Sequence, residues 1–262
     1  MFHLLKIEWL KIKNYRAFWV FAILYLVSIF LVNYIAWTVQ QRTTESMPGS
    51  EQFIGNVYSF PKVWQTVGWM SSWLLYFPGM IIIMLMVNEF NFKTHRQNVI
   101  DGLSRQQFIG VKIVLAIILA ILITIINFIT SVIFGSITSS GSFSTEGMEN
   151  IGYVFLQSIA YIFFALMLAV LFRRSGLAII IFILYGIIFE WLISALAVFE
   201  LKVGAAGYFL PLQLSDVLVP MPFADGIFYR DAPSASILML GIAVYIFLYI
   251  FFTRKKFITE DL

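Results

Sequence analysis

Glu190 lies in the middle of "LYGIIFEWLISAL" and is the only acid deep inside any of the chain's long apolar runs. An ionised carboxylate in such surroundings is costly unless it is protonated, paired or facing water, so it is a functional candidate by default. It cannot serve alone as a carboxylate protease, because that chemistry needs two acids at one site and no second one shares its depth. His3 and His95 are the only histidines and both fall outside the apolar runs, which excludes a buried Ser-His pair, an H-E-x-x-H site or any His-based metal centre within them. Cysteine is absent, so disulfides, thiolate metal sites and a cysteine nucleophile are excluded as well. No G-x-x-x-x-G-K-[ST] occurs, and the chain therefore has no phosphate-cradling loop of that kind. Asn33 and Asn127 are the other polar groups that share the tier of Glu190, each about 16 residues, or roughly 24 Å, from the basic end of its run.

The elements that must hold these groups are membrane helices. Of the 262 residues, 61% are hydrophobic and 12% charged, and long stretches contain nothing that could form a polar surface. A net charge of +3 is too small and too scattered to imply nucleic acid. Six runs are long enough to cross a hydrocarbon core of about 30 Å, at 17–39, 67–88, 111–135, 151–172, 177–199 and 235–253. They predict an all-α polytopic membrane protein, residues 1–262 forming one transmembrane domain. Lys6, Lys11, Lys13, Arg16, Lys93, Arg96, Arg105, Lys112, Arg173, Arg174, Arg254, Lys255 and Lys256 fall on one side, against only Arg42, Lys62, Lys202 and Arg230 on the other. The positive-inside rule then puts both termini in the cytoplasm. Glu45, Glu51, Glu146, Glu149, Glu200, Asp216, Asp225 and Asp231 are expected outside. The aromatics, including Trp64, Trp69, Trp73 and Trp191, read as lipid-facing bulk and interface belts.

Before the first run, Phe2, Leu5, Trp9 and Ile12 recur at helical spacing beside Lys6 and Lys13, as in an interfacial helix over residues 1–16. The stretch 136–150 is a Gly/Ser/Thr connector. The outer segment 200–232 mixes apolar runs with Gly204, Gly207, Pro211, Pro220 and Pro222, which break any continuous helix. It reads either as a re-entrant hairpin capping the outer mouth or as an amphipathic surface loop.

The most ordered polar stretch is "NEFNFKTHRQNVIDGLSRQQFIGVK", residues 88–112, between the second and third runs. It predicts a cytoplasmic helical hairpin: Gly102 can take the left-handed conformation that ends a helix, and Ser104 with Gln107 has capping-box spacing. Phe90, Phe92, Val99, Ile100, Leu103 and Phe108 are poor choices for solvent alone. A docking surface for a cytoplasmic partner follows from them.

At these residues the chain resembles the six-span permease subunits of type-2 ABC exporters. Glu89-Phe90, Thr94, Arg96, Gly102 and Ser104-Arg105 fall on an E-F-x-x-x-T-x-R-x-x-x-x-x-G-x-S-R pattern, with Lys93 replacing a Gly common just before the Thr. The "RRSG" turn at 173–176 extends the likeness. The resemblance implies that the hairpin, with Asp101 at its turn, couples the chain to a separate cytoplasmic ATPase, with Arg173 and Arg174 forming a secondary cytoplasmic turn. It also implies a second copy of the chain or a homologous permease as membrane partner, export as the direction, and a bacterial plasma membrane as the location. No cofactor is expected in this chain; ATP and magnesium would belong to the partner. Within that frame Glu190, Asn127 and Asn33 line or gate the translocation route, although hydrogen-bonded glue between helices is the plainer reading for the asparagines. A membrane scaffold or sensor docking something other than an ATPase is the alternative.

Overall fold

A computed structural model describes residues 2–46, 55–139, 143–222 and 232–259, and every regular element among them is helical. Helix α1 (Phe2–Lys13) precedes the long α2 (Arg16–Ser46). The next crossing is a bent pair, α3 (Val63–Ser72) and α4 (Tyr76–Asn91), which meet at 46°. A short α5 (Thr94–Ile100) leads into α6 (Arg105–Thr138), α7 (Glu149–Phe172) and α8 (Ser175–Glu200). A 3-10 turn (Gly204–Tyr208), the short α9 (Gln213–Leu218) and α10 (Ala235–Thr259) complete the described chain. Five of these helices are long and apolar enough to cross a membrane, and the bent pair supplies a sixth crossing. The helices overrun the apolar runs, α2 reaching Ser46 and α6 starting at Arg105, because backbone hydrogen bonding continues past the point where lipid-compatible side chains stop.

Helix α7 is the hub, buried along most of its length between α4, α6 and α10. By contrast α2, α8 and α10 turn Leu24, Ile180, Trp191, Leu240 and Phe247 outward, as suits helices whose outer faces meet hydrocarbon. Trp64 departs from the expected interface belt: it is fully buried, stacked on Phe128 with its indole N–H donating to the Ser144 carbonyl, so it serves as core rather than anchor.

The outer segment folds back, one of its two expected forms, but Asp216 departs from its expected place outside. Asp216 on α9 accepts hydrogen bonds from Gln157 Nε2 at 2.9 Å and from the Tyr161 hydroxyl at 2.9 and 3.0 Å. Tyr161 lies about midway along α7, roughly 16–18 Å from either helix end. Asp216 is therefore an interior group and not a solvated outer acid, so Glu190 is not the only acid at depth, contrary to the sequence reading. The glycines and prolines break the helix and let the chain fold back, and α7, α8 and α10 cover the irregular backbone so that it tolerates this depth. Glu51, Asp225, Arg230 and Asp231 lie outside the described residues.

Between α4 and α5 the backbone turns at Lys93, which adopts φ 55° and ψ 20°. The bend thus forms without a glycine, at a steric cost of about 1–2 kcal/mol for a residue bearing a Cβ. Lys93 is exposed, so little packing would be lost on replacing it. Lys93→Gly is expected to stabilise the chain by roughly 0.5–1 kcal/mol, the gain being trimmed by the extra freedom of glycine in the unfolded chain. A thermal unfolding midpoint that stays level or falls would refute the strain at this turn.

Candidate functional site

The hairpin predicted between the second and third crossings is built from the end of α4, α5 and the start of α6. Its turn follows local rules. Gly102 has φ 98°, its N–H donates to the Val99 carbonyl at 3.1 Å, and the Leu103 N–H reaches the Asn98 carbonyl at 3.0 Å, the paired bonds of a Schellman stop. Ser104 then restarts the helix. Its hydroxyl accepts from the Gln107 N–H at 3.1 Å while its own N–H donates to Gln107 Oε1 at 3.0 Å, closing a capping box.

The conspicuous residues of the stretch divide into two groups. Arg96, Ile100, Asp101, Gly102 and Ser104 are exposed around the elbow, with Ile100 at 84% and Phe92 at 74% of their full accessibility. Glu89 and His95 point inward and are buried, Thr94 is half-buried, and Phe108 belongs to the core, stacked on Phe257 of α10 with 5.0 Å between ring centres. Arg105 donates to the Ile258 carbonyl at 2.7 Å, tying the elbow to the end of α10, and the Arg173 guanidinium lies over the Phe90 ring at 5.1 Å. Arg174 is exposed beside it. Phe108 and the half-buried Phe90 and Leu103 are thus internal supports; the apolar surface offered outward is Phe92 and Ile100.

Beneath the elbow lies a cluster of charges drawn from three helices. Lys112 of α6 is only 1% exposed and its ammonium contacts Glu8 Oε2 of α1 at 2.5 Å and Glu89 Oε1 of α4 at 2.8 Å. Lys11 reaches the same two carboxylates, at 2.8 Å to Glu89 and 3.1 Å to Glu8. The Thr94 hydroxyl donates to Glu89 Oε2, and His95 Nδ1 is 2.7 Å from the Glu89 carbonyl. Two cations therefore balance two carboxylates in a site nearly closed to water, where removing one partner leaves an uncompensated charge. Burial by itself would lower the Lys11 pKa, but the hydrogen bond to Glu89 and the charges of Glu8 and Glu89 outweigh it and raise it above its ordinary value. A raised lysine pKa contributes stability below the ordinary lysine range and loses it only as pH climbs through the still higher folded value, so the Lys11 contribution holds steady across neutral pH.

Glu8 was not distinguishable as a partner in sequence, and Lys112 reads there as one more cation of the hairpin. The signal that could have singled out Glu8 is its position as the lone acid among four cations before the first crossing.

The intramembrane candidates make separate sets of hydrogen bonds. Asn33 donates to the Ile29 carbonyl at 2.8 Å and accepts from the Tyr58 hydroxyl at 3.1 Å; Asn127 donates to the Tyr25 hydroxyl at 3.2 Å and to the Ile123 carbonyl at 3.0 Å. Each ties α2 to a neighbour. Glu190, 1% exposed, lies on α8 between two π-helical turns, Tyr185–Phe189 and Leu196–Glu200. Its Oε1 accepts the backbone N–H groups of Leu212 and Gln213 at 2.6 and 2.9 Å, so the carboxylate caps the start of α9 from another helix.

Described residues that are helical throughout their regular elements, with six apolar crossings, an elbow at the basic end and a chain folded back at the other, define a multi-pass membrane protein. Residues 4–189 match the family described as ABC-2 family transporter protein. The chain belongs to that family. No individual curated protein matches it.

Proposed function

We propose that this permease is the membrane-spanning half of an ATP-driven exporter, in which a separate cytoplasmic ATPase grips the elbow at residues 92–105. The observation that carries the reading is the division of the elbow into an exposed tip and a charge-locked base. Phe92, Arg96, Ile100 and Asp101 offer mixed apolar and charged contact outward, while Glu89, Thr94 and Lys112 hold the base fixed. Such a tip is costly to leave bare to water, and such a base transmits a push without yielding. The count of basic residues supports an elbow facing the cytoplasm, and the family likeness is the ground for placing it in a bacterial plasma membrane. Two such permeases, or one with a homologue, would flank the translocation route, with ATP and magnesium held by the partner ATPase.

The test is copurification from native membranes, with the proteins recovered alongside the permease identified by mass spectrometry. Arg96→Glu and Ile100→Asp should each reduce recovery of the ATPase at least ~10-fold, a loss of about 1.4 kcal/mol or more, while the permease itself remains monodisperse. Arg105→Glu is a poor probe, since it also breaks the tie to Ile258. Undiminished ATPase recovery with both tip variants, or recovery of a partner with no nucleotide-binding site, would replace this reading with that of a membrane scaffold.

A further inference from the structure

The fold-back of α9 encloses a cavity of about 710 Å³ between α3, α4, α7 and α8, within the size range of small-molecule sites. Its walls are aromatic: Trp69 from α3, Trp73 from the break that follows it, Tyr76 from α4 and Trp191 from α8. The π-helical turns of α8 shape it, because Gly186 lies where a Cβ would strike the Tyr76 hydroxyl. Asp216 lines the same cavity, and no Lys or Arg among the described residues pairs with it.

The neighbours of Asp216 are arranged for an anion. The Ser72 hydroxyl donates to Gln157 Oε1 at 3.0 Å, which fixes that amide so that its Nε2 donates to Asp216, and the Tyr161 hydroxyl adds its own donor. Oδ1 receives two of these bonds and Oδ2 shares only the Tyr161 hydroxyl, so acceptor capacity is left on Oδ2. A carboxylate oriented by donors, bordered by indole and phenol faces and without a cationic partner among the described residues, is the constellation that recognises an organic ammonium ion, through the carboxylate at short range and the ring quadrupoles around it.

We infer that this cavity binds an amphipathic organic cation, its ammonium against Asp216 and its apolar body along Trp73 and Trp191. Trp191 is 63% exposed and Trp73 58%, so two of the lining rings also reach the outer surface of the helix bundle. The ammonium can belong to a free amphiphile or to a lipid headgroup. Glu190 is a positioning residue here, holding the first turn of α9 and with it Asp216.

The inference goes beyond the proposed transport role and does not depend on the ATPase, so the experiment uses the full-length permease alone in phosphatidylglycerol nanodiscs. Quenching of intrinsic tryptophan fluorescence is titrated with 4-phenylbutyltrimethylammonium and with its uncharged tert-butyl isostere. The cation should bind saturably and at least about tenfold more tightly than the isostere. Asp216→Asn should remove that preference, and Trp191→Leu should weaken the cation several-fold while leaving the unfolding midpoint unchanged. If Asp216→Asn does not yield folded protein, Trp191→Leu and the comparison with the isostere decide. Repeating the titration with phosphatidylethanolamine in the discs distinguishes the sources: competition assigns the site to a headgroup, and its absence to a free amphiphile. Equal binding of cation and isostere, or a preference that survives Asp216→Asn, overturns the inference. A failed ATPase copurification would leave it standing.

Discussion

Lys112→Met is expected to destabilise the permease by about 3–5 kcal/mol, the cost of breaking a buried ion pair by removing one partner. The substitution nearly preserves length and volume, so packing around Phe108, whose ring lies 5.2 Å from the ammonium, changes little. What changes is charge. Glu8 and Glu89 would face each other with Lys11 alone between them, and Lys11 is 35% exposed and already shared. Their mutual repulsion would be relieved by separating α1 from α4, which unlatches the N-terminal helix. The apparent melting midpoint in detergent should fall by at least ~5 °C, following the scaling of stability with chain size. Adding Glu8→Gln to Lys112→Met should recover part of the loss, because one negative charge then matches one positive. A single variant as stable as the parent, or a double variant no better than the single, would show that the cluster does not hold these helices.

The second large effect is at Glu190, and it turns on which atom the replacement retains. Glu190→Leu removes the acceptor for the Leu212 and Gln213 N–H groups, which are buried with it. Each bare buried donor costs about 1–3 kcal/mol, so a total of roughly 2–6 kcal/mol is expected. Glu190→Gln keeps a carbonyl oxygen at the same reach and should fold close to the parent. The two variants are separated by the monodisperse fraction on gel filtration and by the unfolding midpoint, with Glu190→Leu low in both. If Glu190→Gln were as damaging as Glu190→Leu, the negative charge and not the hydrogen bonds would be the essential feature.

The contrast between these two sites explains what was legible in the sequence. The elbow's turn is written in adjacent residues: Gly102 for the left-handed stop and Ser104 with Gln107 for the restart are choices made within one turn of helix. The crossings are equally local, since about 20 apolar residues leave a chain few alternatives to a membrane helix. The partners of the buried charges are another matter. Glu8 and Lys112 stand 104 positions apart, and nothing around either residue specifies the other. Asp216 misleads for a related reason: it follows Gly204, Gly207 and Pro211, which end a helix, and a broken helix beyond a crossing reads as an outer loop until tertiary packing draws it back to Tyr161. Glu190 was recognisable as anomalous, but its task of capping the backbone of a distant segment has no counterpart in a motif.

The 46° break between α3 and α4 falls at Trp73–Leu75, at the opposite end of α4 from Glu89. A rod fastened firmly at its foot and jointed at its head converts a shove at the foot into a swing at the joint. Here the joint is where Ser72, Trp73 and Tyr76 border the aromatic chamber. Movement imposed at one face of the bilayer would thus be felt, through a single stiff lever, as a change in the width of a compartment at the far end.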